Sequence, residues 1–306
     1  MSWFFTGPFL YAAALLFLAG TAYKIISISR MPRHLRWELY PLPRLGAAGS
    51  RYQQVDHGRS PREISRLAEI GVMAEEILLL KKLFANRRDL WFGSYLLHVG
   101  LYFSIAGFGL VLTEAVLVSA GLAAAPASGS LAARVLGEVV IVAGIGGSAA
   151  GLFGAAFLLA RRLTDPGLRD MSDPVTFFNL AFLVVLFASG LLAWTADGPL
   201  EQVRTHMASL LRGRPGVVPS TSLALAMTLS GLFAAYLPFS RMFHFAAKYF
   251  FYHRILWDDE PMHGGTAIQR DFAGYLRYPL TWSGEHLQPR KAWSEQLSSR
   301  DDAHQG

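Results

Sequence analysis

A chain of 306 residues that is 52% hydrophobic, only 16% charged and has a mean hydropathy of +0.31 is too apolar for an ordinary soluble domain. The absence of cysteine excludes disulfides, thiolate-held zinc, cysteine-held iron–sulfur clusters and covalent c-type haem together, so a redox cofactor has to be held by histidine. The net charge of +6 comes from 28 basic and 22 acidic residues, and its placement matters more than its total.

The first stretch, MSWFFTGPFLYAAALLFLAG, lacks the cationic start of a secretory signal and has a longer apolar run, so it reads as a retained helix. A helix crossing the hydrocarbon core needs roughly 20 apolar residues at about 1.5 Å each. Five stretches qualify: 4–28, 91–117, 135–160, 175–194 and 222–250. Trp3, Trp91 and Trp194 fall at their ends, where amphipathic rings belong. The expected fold is an all-α integral membrane bundle of five transmembrane helices over residues 1–256, with a cytoplasmic tail over 257–306.

The loops alternate in charge. Residues 29–90 carry twelve Lys and Arg, 161–173 three, and the chain from Lys248 onward seven. The intervening loops hold only Arg134, and then Arg204, Arg212 and Arg214. Positive residues lie mainly inside, which predicts an outer amino terminus, a cytoplasmic carboxyl terminus and a multi-pass place in the cell inner (cytoplasmic) membrane.

Within the long first loop, Ser60, Pro61 and Glu63 form a helix-start pattern, followed by Ile64, Leu67, Ile70, Met73, Ile77 and Leu80 at helical spacing. This amphipathic helix either lies on the inner membrane surface or docks a partner. In the third span GIGGSAAGLFG puts Gly147 and Gly151 in a small-xxx-small arrangement, read as close helix packing. No glycine-rich phosphate loop joins a strand to a helix, and neither nucleotide nor nucleic acid is an expected partner.

His98 lies seven residues past Trp91, and His244 six before Phe250, which puts each about 10 Å inside the same boundary of its span. Two neutral imidazoles at one level on neighbouring helices are what bis-histidine haem ligation requires. The alternative is two separate histidines hydrogen-bonded to neighbouring helices. Gly93, Gly100, Ala246 and Ala247 would leave room for a macrocycle. Arg241 and Lys248 stand one turn either side of His244, as propionate partners or as cations reaching for headgroups. Pro238 predicts a kink just before His244. His34, His57, His253, His263, His286 and His304 fall in cytoplasmic segments and His206 in an outer loop, none at metal-ligand spacing. Glu114 and Glu138 are acids for proton exchange with a quinol, or interfacial carboxylates; a quinone near Lys24 or Arg241 is an equal option.

The stretches YLLHVGLYFSIAGFG, DPVTFFNLAFLVVLFASGLL, LPFSRMFHFAAKYFFYHRILWDD and RHLRWELYPLPR resemble the gamma-subunit family of respiratory nitrate reductase. Within it they are similar to the branch found with heterodisulfide-reductase-like and sulfite-reduction complexes. The resemblance implies a five-span cytochrome b that moves electrons between the quinone pool and an iron–sulfur subunit on the cytoplasmic face, without catalysing the terminal reaction itself. It implies ligand histidines at His98 and His244. A second pair, present in the nitrate reductase type, falls here on Phe108 and Ala226, which cannot bind iron, so one haem b is expected. The docking surface is expected at RHLRWELYPLPR and in the tail from Trp257. A haem-free membrane anchor is the competing reading.

Overall fold

The computed structural model describes residues 2–31, 66–121, 131–196, 198–216, 218, 220–253, 265 and 267–298. The helix-start pattern at Ser60–Glu63, the RHLRWELYPLPR segment and the tail from Trp257 to His263 lie outside these residues. The helices are α1 (Ser2–Thr6), α2 (Pro8–Ser29), α3 (Arg66–Leu79), α4 (Lys81–Asn86), α5 (Arg88–Ser119), α6 (Leu131–Thr164), α7 (Pro166–Asp170), α8 (Pro174–Ala196), α9 (Leu200–Leu211), α10 (Thr221–Tyr236), α11 (His244–Phe251), α12 (Ala267–Tyr275) and α13 (Trp293–Ser298). Among the described residues, β pairing is limited to the isolated bridges Pro279–Ala292 and Gly284–Leu287.

Among the described residues, five helical segments are long and apolar enough to cross a membrane: Trp3–Ser29, Arg88–Ser119, Leu131–Thr164, Pro174–Ala196 and Thr221–Phe239. The all-α, five-span expectation is met, and the chain is a multi-pass membrane protein. Local chemistry sets the helix starts. Pro8, Pro166 and Pro174 open their helices, where a missing N–H costs nothing. Asp165 accepts from Gly167 N (3.0 Å), Asp173 from Thr176 N (2.9 Å) and Ser220 from Leu223 N (3.1 Å).

The described residues fall into two compact units, Met1–Thr21 with Ile70–Ser240, and Ala22–Glu69 with Arg241–Gly306. In the first, α6 is the central helix, packed against α5 on one side and α8 on the other. Its glycines make this possible. A Cβ on Gly154 would stand 2.3 Å from the Leu97 nitrogen, and one on Gly144 would stand 2.2 Å from the Trp194 ring. Such contacts remove space that lipid would otherwise have to fill and bring backbones together by dispersion. The packing role expected of Gly147 and Gly151 is therefore seen. Gly93 and Gly100 belong to the same seam: a Cβ on Gly93 would strike Phe157, and one on Gly100 the backbone of Gly151. They were expected to make room for a macrocycle; instead they admit α6. Arg161 ties the two helices together at one end, 3.1 Å from Asp89.

α10 packs on α8, where buried Asn179 accepts from the Tyr236 hydroxyl at 2.8 Å. Gly231 of α10 meets Phe9 and Leu10 of α2, and Gly20 of α2 meets Pro238 and Phe239. The fifth span is shorter than the expected 222–250. Pro238 has no N–H to give, the helix tightens to a 3-10 turn over Leu237–Phe239, and Ser240 is extended. A second 3-10 turn, Arg241–Phe243, precedes α11. Pro238 thus breaks the helix rather than bending it.

The helix expected across residues 60–91 also divides. Leu80 takes a left-handed conformation (φ 51°, ψ 47°), and α4 follows with its Lys82 nitrogen capped by the Glu76 carboxylate at 2.9 Å.

Candidate functional site

Within the first unit, α5 turns one face to α6 through Gly93, Leu97 and Gly100. His98, one residue past Leu97, lies about 100° further round the helix. It shares its stripe with Trp91, Tyr95 and Tyr102. Trp91 stacks on Tyr95 at 5.0 Å between centroids, and His98 and Tyr102 are 6.2 Å apart. The half-buried His98 Nδ1 is 2.7 Å from the Ser94 carbonyl oxygen. A carbonyl only accepts, so Nδ1 carries the proton and Nε2 the lone pair.

In the second unit His244 is the exposed first residue of α11, with Nδ1 3.3 Å from the Arg241 carbonyl. It has the same tautomer for the same reason. Arg241 is exposed, in the 3-10 turn before α11. Because the fifth span is broken after Tyr236, the rise per residue of a continuous helix no longer gives the depth of His244. Each histidine is described within its own unit, and their pairing rests on the sequence.

The two candidate acids part company. Glu114, on α5, accepts from Arg204 Nε of α9 at 3.0 Å, with both side chains only 12% exposed. Glu138 instead lines an open groove of about 600 Å³ between α5 and α6, floored by Phe103, Leu110, Val139 and Val142, with Arg134 at its rim. An apolar cleft with one acid and one base is the kind of surface that accepts an amphiphilic ring.

Sequence reasoning missed α9 and, on it, His206. The signal was there: Leu200, Val203 and Met207 at helical spacing, with Glu201 in the first turn. His206 is buried, and its Nε2 donates to the Thr6 carbonyl at 2.6 Å. Tyr11 OH also donates to Leu210 O (2.6 Å), and Trp3 Nε1 to Pro215 O (3.0 Å). These bonds fasten the amino-terminal helices to the α9 segment. Burial lowers the His206 pKa below its ordinary 6.5. The unfolded chain therefore binds the extra proton first as pH falls. Stability contributed by neutral His206 is complete above about pH 6.5 and declines at up to about 1.4 kcal/mol per pH unit until the lowered folded pKa is reached. The protection of α1 and α2 amides, taken as the intrinsic exchange rate at each pH divided by the observed rate, should fall from pH 7 to pH 5, and His206→Asn should flatten that dependence.

A family profile described as nitrate reductase gamma subunit matches residues 82–257, more than half of the chain. The chain belongs to the nitrate reductase gamma subunit family. The match spans α4 to α11 and contains both His98 and His244. Comparison with curated proteins finds no match. Membership in the gamma-subunit family implies a membrane electron-transfer subunit of the cytochrome b kind. The residues present fit a haem. Each imidazole is oriented by a backbone carbonyl on Nδ1, as iron-binding histidines usually are, with the lone pair on the other nitrogen. Among the described residues no group of three or more His, Cys, Asp or Glu is placed to hold a metal ion.

Proposed function

We propose that the protein is the haem b subunit of a quinone-linked respiratory complex, passing electrons between the membrane quinone pool and an iron–sulfur partner on the cytoplasmic face. The observation that carries this reading is the carbonyl-fixed His98 on a membrane-spanning helix inside the gamma-subunit match. His98 and His244 are the proposed axial ligands, and Arg241 the cation for a propionate. When bound, haem b supplies a one-electron carrier. The chain's own part is to orient its imidazoles: the Ser94 and Arg241 carbonyls accept from Nδ1, so Nε2 is the nitrogen each ring would turn to iron.

The proposed quinone place is the groove at Glu138. Its apolar floor excludes water from the ring, and the Glu138 carboxylate exchanges a proton with a quinol oxygen. Loop charge supports an orientation with the carboxyl terminus in the cytoplasm and a place in the inner membrane. The partner is taken to be heterodisulfide-reductase-like, docking on RHLRWELYPLPR and the tail from Trp257. It must bring the clusters, because this chain has no cysteine to hold one.

The test is a reduced-minus-oxidised visible spectrum of the purified subunit with haem and protein quantified. One b-type haem per chain is expected in the native protein, and none in His98→Ala or His244→Ala at unchanged helical content. Well-folded native protein without haem would leave the anchor reading, and two haems would mean that ligands other than these two histidines serve.

A further inference from the structure

The amphipathic helix α3 is turned the other way from an ordinary one. On its outward side stand Leu67 and Ile70, 84 and 63% exposed, then Ile77 and Leu78, 41 and 55% exposed, with Gly71 between them open to space. At 100° per residue these form one stripe free of charge, while the acids Glu69 and Glu76 are the buried residues of the opposite side. Water does not favour such an arrangement, and something apolar covers the stripe.

How α3 ends says what that is. A helix leaves its last carbonyls without partners, and at an aqueous surface water takes them. Here the Ile77 carbonyl accepts from the Tyr102 hydroxyl at 2.6 Å and the Leu79 carbonyl from Trp91 Nε1 at 2.8 Å. Both donors belong to the membrane-spanning α5, eleven residues apart on one face, about 16 Å along its axis. A helix end satisfied by side chains of a spanning helix is what the hydrocarbon region demands. Immediately after it come the exposed Lys81, ion-paired with Glu75, and Lys82, and then Arg88 at the start of α5, over the Phe84 ring, a run of long cations at the level where lipid headgroups are expected.

We infer that α3 is a membrane-embedded element lying along the bilayer face beside α5, with Leu67, Ile70, Ile77 and Leu78 in contact with acyl chains and the following lysines at the headgroups. Its occupant is the lipid bilayer. The inference is independent of the haem: it uses backbone carbonyls, exposure and charge alone. It also places the last turn of α3 against Trp91 and Tyr102, the two residues that bracket His98 on α5.

A chain without cysteine allows a clean test. Single cysteines are placed at Ile70 and at Ile77 in the full chain, spin-labelled, and reconstituted in vesicles of phosphatidylethanolamine and phosphatidylglycerol. Met171→Cys, on an 88% exposed residue between spans, serves as the water reference. Collision with oxygen should exceed that with a water-soluble nickel chelate severalfold at Ile70 and Ile77, and the order should reverse at Met171. Nickel dominating at Ile70 would put the stripe in water and overturn the inference. Labels shielded from both reagents would overturn it too, by showing that a protein surface covers the stripe. Leu78→Cys repeats the measurement should either variant lose its circular dichroism spectrum.

Discussion

Gly100→Val is expected to destabilise the bundle strongly. A Cβ at this position would stand 2.4 Å from the Gly151 nitrogen, 2.5 Å from its Cα and 2.7 Å from the Gly147 oxygen. All three are backbone atoms of α6, so no rotamer change relieves the clash and two whole helices must separate. Overpacking that side chains can absorb costs typically 1–3 kcal/mol, and here the expected loss is about 3 kcal/mol or more. Gly109→Val, on the same helix but with nothing within 4 Å, supplies the control. Thermal unfolding in detergent should separate the two variants by many degrees. Equal stability would mean that the α5–α6 seam is looser than these distances.

Arg204→Ala is expected to cost about 2–4 kcal/mol, toward the value for breaking a buried pair, because it leaves the Glu114 carboxylate, only 12% exposed, without its guanidinium. Removing both charges should restore much of that loss. In a double-mutant cycle with Glu114→Gln, Arg204→Ala/Glu114→Gln should be more stable than Arg204→Ala alone, with a coupling of about 2 kcal/mol. A coupling near zero would make the pair an ordinary solvated contact. Glu114, one of the two acids weighed for a quinol, thus holds α9 on α5, and Glu138 lines a groove.

The spans were legible because hydrocarbon thickness leaves one solution, long apolar helices, and the sequence has five. The interruption after Tyr236 was legible as Pro238. What failed were inferences about direction. Gly93 and Gly100 are small for α6, which cannot be read without knowing which face of α5 meets it. The stripe on α3 was visible as a period, with the membrane surface and a partner as its two readings; that Leu67 and Ile70 are exposed and Glu69 is buried required coordinates. His206 was passed over since a lone histidine in a polar loop carries no pattern; only the fold brings Thr6, 200 residues away, to its ring. His98 was singled out by its depth in the span, while the carbonyl of Ser94 at its Nδ1 required coordinates.

The helices are unequal in length. At about 1.5 Å per residue, α5 (32 residues) and α6 (34 residues) reach about 48 and 51 Å, whereas the 19-residue fifth span is about 28 Å, close to a hydrocarbon core of about 30 Å. Two helices locked glycine against backbone along their seam, and cross-tied by Arg161 and Asp89, are therefore longer than the hydrocarbon core is thick. Whatever meets an end of this pair meets a surface already rigid in orientation, so little ordering entropy is lost on contact.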